Sequence, residues 1–593
     1  MQFPYGLFDF AKIRQKGYFY QDRTHLIPQL EAAGDQLLFL RPRRFGKSLL
    51  LSMLEHYYDL NQADAFASLF GDLAIGQNPT ALHNQYFIMH WDFSLVKAQG
   101  EVKDIEKALH QHLNDCIREF LSRYQSVLAA TLEINETNAL SSWRSVLTAI
   151  RATNHKLYLF IDEYDNFANE ILMAKKEHYE KLLYGEGLFK TVFKAVKAAA
   201  GQGLDRVFIT GVSPVAMADL TSGYNVAENI YLNRDFNALC GFTEVEISTI
   251  LEAIHASDDA WSVESALAIM RTFYNGYRFS EDSDFSVYNP TLSLYFCKHL
   301  ATTGKYPRTL LDDNLAMDRS KLTYIAELLQ DEQVLLEALD TEAGVLIPRL
   351  ATRFGVTDLF RGLEGHSTMA SLLYYFGILT LDGETAFGEI RLKIPNLVSR
   401  SLYIERIQDW LSLPARDRET ALAVARTLCQ HGEMLPVCEF IEQRLFPVLS
   451  TRDYRWSNEL AVKVMFMTVL FNDRLYMMIS ETEVNHGYID LSLIVRPDMR
   501  RFQALDLILE FKYVKLDSIK LNGLQVKKKS REELLALPLI RDQLEAAKQQ
   551  ARRYATGLKA RYQLETIACF AVVAVGLERI VFERLVGDEG RAG

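Results

Sequence analysis

A short apolar run from Gln36 to Leu40 leads directly into RPRRFGKS, Arg41 to Ser48, and then into a helical pattern of apolar residues from Leu49 to Tyr58. Strand, loop and helix in that order is the context a phosphate-binding loop requires. Backbone N–H groups near Gly46 and at the start of the helix would point at phosphate oxygens, Lys47 would reach the terminal phosphates, and Ser48 would bind Mg2+. The candidate nucleotide-contacting residues of the loop are Arg43, Arg44, Phe45, Gly46, Lys47, Ser48 and Leu49. The loop departs from the pattern G-x-x-x-x-G-K-S/T, because Arg41 stands at the first glycine position and the rigid Pro42 follows it. A G-K-S tripeptide also arises by chance in long chains, so a second signal is needed.

That signal is LYLFIDEYD. Leu157 to Ile161 reads as a buried strand, with Asp162 and Glu163 at its C-terminal end, where ligands bind in open α/β sheets. Asp162 would complete the Mg2+ shell, and Glu163 would polarise a water for attack on the γ-phosphate of ATP. A third strand, Arg206 to Ile209, ends in Thr210 and Gly211, placing a hydroxyl beside the terminal phosphate. An earlier one, Tyr86 to Trp91, ends at Asp92. Four such strands with helices between them predict an α/β fold, a doubly wound parallel sheet.

Near the C-terminus a different constellation appears. Ser457 to Phe471 reads as an amphipathic helix with Glu459 in its first turn. In Tyr488 to Val495, alternation puts Ile489, Leu491, Leu493 and Val495 on one face and Asp490 with Ser492 on the other, predicted more polar, face. In Ala504 to Val514, Glu510 and Lys512 project together, opposite Leu505, Leu507, Leu509, Phe511 and Tyr513. Two charged residues inside so apolar a strand are costly to bury without partners, and a divalent cation is a natural one. Glu459, Asp490 and Glu510 would supply hard oxygen ligands to Mg2+ or Mn2+, and Lys512 would orient the attacking water. The plainer alternative is a Glu510–Lys512 salt bridge on an ordinary strand. Leu544 to Tyr554 reads as a helix that presents Gln550 to this site and arginines to a phosphate backbone, or that is simply solvated.

A chain of 593 residues exceeds what one core usually serves, so about three or four domains are expected. The N-terminal residues lack the apolar core of a signal peptide, and the most apolar run, Ile567 to Leu577, fits a buried strand better than a membrane span. Six cysteines without any C-x-x-C pair argue against structural zinc and a disulfide framework, which fits a reducing cytoplasm. A net charge of -11 gives no global attraction to nucleic acid, so contact must come from local basic surface. Two stretches offer it: Arg41, Arg43, Arg44 and Lys47, and the run Lys512, Lys515, Lys520, Lys527, Lys528, Lys529 and Arg531, which alone reads as a solvated loop.

Taken together, the chain resembles bacterial AAA-ATPase-like proteins that carry a C-terminal PD-(D/E)XK nuclease-like domain. The resemblance runs over nearly the whole length and is most specific from Tyr18 to Ser48, where YFYQDRTHLI precedes LRPRRFGKS with its replaced glycine. It continues in IDEYD, ITGVSP, GFTEVEI, YNGYRF and YNP, and in NEL, GYID and EFK near the C-terminus. It implies a P-loop ATPase domain over 1–240, a helical lid over 241–305, a helical linker over 306–448 and a restriction-endonuclease-like α/β domain over 449–593. It implies Lys47, Ser48, Asp162, Glu163 and Thr210 as nucleotide residues and Glu459, Asp490, Glu510 and Lys512 as nuclease residues. Nucleic acid is the implied partner, DNA ahead of RNA, without a membrane and with room for a homo-oligomer; a role in defence or mobile-element biology is implied too. The competing expectation is a regulatory NTPase whose nuclease-like domain only binds nucleic acid or a protein.

Overall fold

The computed structural model describes residues 1–128, 132–174, 182, 187–214, 226–256, 261–310, 334, 337–339, 344–353, 365–410, 414–450, 458–479, 482–484 and 487–585. In the first half, β1 (Gln36–Leu40), β2 (Tyr86–Asp92), β3 (Lys156–Asp162), β4 (Leu204–Gly211) and β5 (Glu228–Asn229) form one sheet in the order β2-β3-β4-β1-β5. Every pairing in it is parallel. Leu157 to Ile161 are all buried, the mark of a strand covered on both faces. The predicted four strands are present, and the two-residue β5 is a fifth too short to announce itself. Because β4 lies between β1 and β3, the C-terminal ends of all three meet beside the Lys47–Tyr58 helix.

Three helices follow, Glu244–His255, Val263–Tyr274 and Pro290–Thr303. The GFTEVEI segment is a helix start: the Thr243 side chain accepts from Glu246 N–H while the Glu246 carboxylate accepts from Thr243 N–H. In YNP, Asn289 caps the next helix and Pro290 occupies its first turn. Gly276 of YNGYRF has φ 98°, and a Cβ there would lie 2.0 Å from the Pro395 carbonyl oxygen, so only glycine fits.

The described part of the following segment is mostly helical, as its sequence predicts, but it also holds a small antiparallel sheet. Its strands β6 (Val345–Ile347), β7 (Thr380–Glu384) and β8 (Ile390–Lys393) run in the order β6-β8-β7. Strands of three to five residues carry too few alternations to stand out.

The C-terminal sheet comprises β9 (Tyr476–Ile479), β12 (Leu491–Val495), β13 (Leu507–Val514), β14 (Ala568–Val575) and β15 (Arg579–Leu585), ordered β15-β14-β13-β12-β9. Only β13 and β14 are parallel; the rest are antiparallel. A separate hairpin pairs β10 (Thr482–Val484) with β11 (Gly487–Ile489). The Glu459–Leu470 helix packs on β13, with the Phe466 and Phe511 rings 5.0 Å apart. The Pro538–Tyr562 helix lies along β13 and β14.

One contiguous apolar cluster runs from Phe3 to Ile580, through the parallel sheet, the three helices, the linker and the C-terminal sheet. Among the described residues, no helix is long and apolar enough to cross a membrane. All six cysteines are free thiols.

Candidate active sites

The first site is built by the loop between β1 and the Lys47–Tyr58 helix. Arg44 and Gly46 both adopt positive φ, 64° and 87°, which coils the loop and leaves the helix N-terminus open. Lys47 is buried and donates from Nζ to the carbonyls of Arg41 (3.0 Å) and Pro42 (3.2 Å). Ser48 donates to Asp162 Oδ2 at 2.9 Å, and the Thr210 hydroxyl donates to Asp162 Oδ1. Three strand and helix ends thus bring two hydroxyls onto one buried carboxylate, a hard oxygen set that suits Mg2+. Glu163 follows in the left-handed region, φ 47°. Burial raises its pKa, opposed by Lys47 and Arg43, so its carboxylate is the more basic for being half-sheltered.

The loop with Lys47 and Ser48, together with Glu163, borders a cavity of about 610 Å³, a size that suits a nucleotide. Arg43, Arg44, Phe45, Gly46, Lys47, Ser48, Leu49 and Glu163 line one side, and the N-terminal segment and the region of the three helices line the other, including Tyr5, Phe19, Phe242 and Leu294. Arg23 fixes that second side. Its guanidinium donates to both Glu246 oxygens and to the Gly241 carbonyl (2.8 Å). Burial disfavours the charged form of Glu246, but Arg23 outweighs it and holds the pKa below the usual range.

The structure corrects the sequence reading of Arg41. It is not part of a basic surface. Its guanidinium is 1% exposed and donates to the carbonyls of Leu40 (2.8 Å), Tyr231 (2.8 Å) and Phe236 (2.7 Å). It also lies over the Phe279 ring at 4.0 Å. Phe45 is buried too, edge-on to Tyr277 (4.9 Å) and Phe279 (5.2 Å). The loop's unusual residues therefore dock YNGYRF, which follows the Val263–Tyr274 helix.

The second site lies where β11 gives way to β12. The predicted single strand from Tyr488 to Val495 is broken at Asp490, and the face expected to be more polar is covered, since Ser492 is fully buried. Asp490 Oδ2 accepts from Phe511 N–H at 2.8 Å, and Asp490 N–H donates to Glu510 Oε1 at 3.4 Å. Burial drives the Glu510 pKa far above the ordinary carboxylate range, and the Asp490 charge drives it further. Lys512 Nζ donates to the Phe511 carbonyl at 2.8 Å and stands 3.6 Å from Glu459 Oε1. Burial raises the Glu459 pKa, with Lys512 opposing and Asp490 adding to the shift.

The structure thus brings Asp490 and Glu510 into contact and turns Glu459 toward Lys512. Among the described residues, no three or more His, Cys, Asp or Glu side chains form a preformed metal shell. A divalent cation nevertheless fits the donor chemistry, because it would offset the repulsion between the buried Glu510 carboxylate and the half-buried Asp490 carboxylate beside it.

Several residues escaped the sequence reading. Lys463, 3% exposed, lies one turn beyond Glu459 and its charge bears on that carboxylate; the i, i+4 spacing was the available signal. Asn166 accepts from Arg43 Nη2 at 2.9 Å, a link with no sequence signature. Gln550, by contrast, was offered to this site by the sequence; it sits on the helix along β13 and β14, its Oε1 buried without a hydrogen-bond partner among the described residues. The second basic run is not bare surface: Lys512, Lys527, Lys529 and Arg531 pair with Glu459, Glu578, Glu533 and Glu442.

Comparison with known proteins agrees with this division. A family model for predicted AAA-ATPases matches residues 4–221, and a PD-(D/E)XK nuclease superfamily model matches residues 457–584. An uncharacterized protein in the vnfD 5′ region of Azotobacter chroococcum mcd 1 is 26% identical over 425 residues, covering 70% of this chain and 71% of its own. Among solved structures, Aeropyrum pernix ORC2 with ADPNP and ADP shares 14% identity at a TM-score of 0.31, over 66% of this chain and 93% of that one. Cdc6p from Pyrobaculum aerophilum shares 9% at 0.26, over 67% and 98%. At such scores the strand order and loop geometry, not the superposition, define the fold. The chain joins an AAA-ATPase-like domain over residues 4–221 to a PD-(D/E)XK nuclease superfamily domain over residues 457–584.

Proposed function

We propose that the chain binds and hydrolyses ATP at the Gly46–Ser48 loop and thereby controls metal-dependent cleavage of phosphodiester bonds in nucleic acid, DNA ahead of RNA, at the Asp490–Glu510 pair. The observation that carries the nuclease half is that pair: the buried Glu510 carboxylate against the half-buried Asp490, with a lysine from the same strand as Glu510 nearby. Asp490 and Glu510 would hold Mg2+ or Mn2+, with Glu459 nearby, and Lys512 would orient the attacking water. Such a cation lowers the pKa of bound water and offsets charge on the phosphate in the transition state. In the first site Ser48 and Asp162 would hold Mg2+, Lys47 would contact the terminal phosphates, and Glu163 would take the proton of the attacking water.

The test uses purified full-length protein with supercoiled, linear and single-stranded DNA and with RNA, in Mg2+ or Mn2+, with and without ATP. Asp490→Ala is expected to lower cleavage by about 10³-fold. Lys47→Ala is expected to abolish ATP hydrolysis and alter cleavage; equal cleavage by this variant and the parent under every nucleotide condition rejects the coupling. A second reading has its own support, since Glu459 faces Lys512 rather than the carboxylate pair. On it the C-terminal domain only binds nucleic acid or a protein, and binding without any cleavage would decide for it.

A further inference from the structure

Ion pairing explains only part of the second basic run. Lys512, Lys527, Lys529 and Arg531 have carboxylate partners. Lys515, Lys520 and Lys528 are exposed and form no ion pair with a described residue. The stretch from Lys515 to Lys529 carries five lysines against one carboxylate, Asp517, in a chain whose net charge is -11. Such a local excess attracts a polyanion that the chain as a whole repels.

The three uncompensated lysines stand on an anchored base. Lys515 follows β13 directly, three residues beyond Lys512 and so about 10 Å further along the chain. A 3-10 turn over Leu516–Ile519 leads to Lys520 in the left-handed region, φ 56°. The next helix, Gly523–Lys528, is closed at its start by a reciprocal pair: Asn522 Oδ1 accepts from Gln525 N–H and Gln525 Oε1 accepts from Asn522 N–H, both at 2.9 Å. Its Val526 is fully buried with Val514, Leu534 and Ile540. Lys527 pairs with Glu578 at 2.9 Å, and a Cβ at Gly523 would strike that same carboxylate. On this helix Leu524 is 73% exposed and shares a face with Lys528, four residues on. One exposed leucine is ordinary on a protein surface. This one projects from a fixed support among cations, next to the strand that carries Glu510 and Lys512.

We infer that this surface docks duplex DNA, with Lys515, Lys520 and Lys528 on its phosphates and Leu524 wedged into a base step. The inference rests on the nuclease reading of Asp490 and Glu510 for its orientation: about 10 Å corresponds to about three base-pair steps, so the wedge enters a few nucleotides from the phosphate to be cut. Surfaces that hold single strands stack the bases on aromatic rings, and Lys515 to Lys529 contains none. A branched aliphatic side chain has no π-face to offer, but it is the kind of group that enters the minor groove, partly unstacks a step and bends the duplex. The minor groove of an RNA duplex is wide and shallow and gives one leucine little to grip. Lysine contacts to phosphate carry no base identity, so the binding is tolerant of sequence.

The experiment uses full-length parent, Lys515→Gln/Lys520→Gln/Lys528→Gln, Leu524→Ala, and a control, Lys12→Gln/Lys16→Gln/Lys103→Gln, that removes three exposed lysines of the first domain. Binding of a labelled DNA duplex, its single strands and an RNA duplex is followed without divalent metal across a salt series. Melting temperatures are recorded, and cleavage is assayed separately in Mg2+ or Mn2+. The first triple variant is expected to bind duplex DNA at least about tenfold more weakly, with a salt-dependence slope shallower by about 2 to 3, while the control stays within about threefold of the parent. Leu524→Ala is expected to keep the parent's salt slope but not to brighten a fluorescent adenine analogue in the duplex, which the parent brightens by unstacking it. All variants should melt as the parent does. The inference is overturned by a triple variant whose affinity and slope match the parent's, by a control that loses as much, or by a Leu524→Ala that brightens the analogue equally. A parent that prefers single strands or RNA overturns it too. A parent that shows this binding but cleaves nothing in either metal removes the nuclease reading and upholds the docking surface. A parent that cleaves, alongside surface variants that bind and cleave equally well, removes the surface alone.

Discussion

Arg41 occupies a place where phosphate-binding loops usually have glycine, and its surroundings explain the exchange. Three backbone carbonyls and an aromatic face replace the water its charge loses, and burial still lowers its pKa to about 10. Arg41→Gly restores the common pattern, yet it is expected to destabilise the protein by about 3 kcal/mol, because three buried acceptors lose their donor. A lowered apparent melting temperature with no gain in ATP affinity is the expected outcome. At Glu510 the sign is opposite. Its raised pKa contributes stability that is complete below the ordinary carboxylate pKa and is lost as pH rises through the raised value. Without metal, Glu510→Gln should therefore melt higher than the parent at pH 8, and Mg2+ or Mn2+ should no longer raise its melting temperature. Asp490, Glu510 and Lys512 could be nominated from sequence because charge inside an apolar strand is conspicuous. The role of Arg41 could not, since its partners Tyr231, Phe236 and Phe279 are distant in the chain.

Among elements, the parallel strands were legible because each is a continuous apolar run ending in a polar residue, and β3 and β4 end at Asp162 and beside Thr210. Period alone could not show that Tyr488 to Val495 divides at Asp490, because the break arises from pairing β11 with β10 and β12 with β13 and β9. The edge strand β2 carries a further titrating group. Burial pushes the His90 pKa down, but hydrogen bonding to Glu55 of the Lys47–Tyr58 helix, together with the charges of Glu55, Asp162 and Asp92, raises it above the ordinary value. That contribution is complete below about pH 6.5 and fades as pH rises through the raised pKa. Between pH 6 and 8, melting temperature should fall more steeply for the parent than for His90→Gln. The difference should be under about 1 kcal/mol, because the ring is partly exposed.

Across the whole molecule, the segment that follows the three helices meets the C-terminal sheet at Arg496. This side chain at the end of β12 is fully buried, donates to the Pro307 carbonyl at 3.1 Å and to Asp473 at 3.3 Å, and pairs with Asp498. Pro307 follows Tyr306, whose ring stacks on Phe296 of the Pro290–Thr303 helix at 5.6 Å. The Pro290–Thr303 helix is thereby linked through Tyr306 and Pro307 to the strand that follows Asp490. Arg496→Lys keeps a charge but loses the fork, and the ratio of cleavage with ATP to cleavage without it should move toward one while ATP turnover stays within about threefold. An unchanged ratio counts against this route. The sequence marks Arg496 only as a charge after a strand, so this link was invisible until the segment around Pro307 was seen packed on the C-terminal sheet.

The unbroken apolar seam from Phe3 to Ile580, with a guanidinium enclosed where the segment around Pro307 abuts the C-terminal sheet, bears on how the chain can be dissected. Cutting between Pro307 and Asn458 would leave each fragment with a raw oily face and strand Arg496 without its Pro307 acceptor. Halves produced apart should clump, whereas co-expressed halves should find each other and remain dispersed.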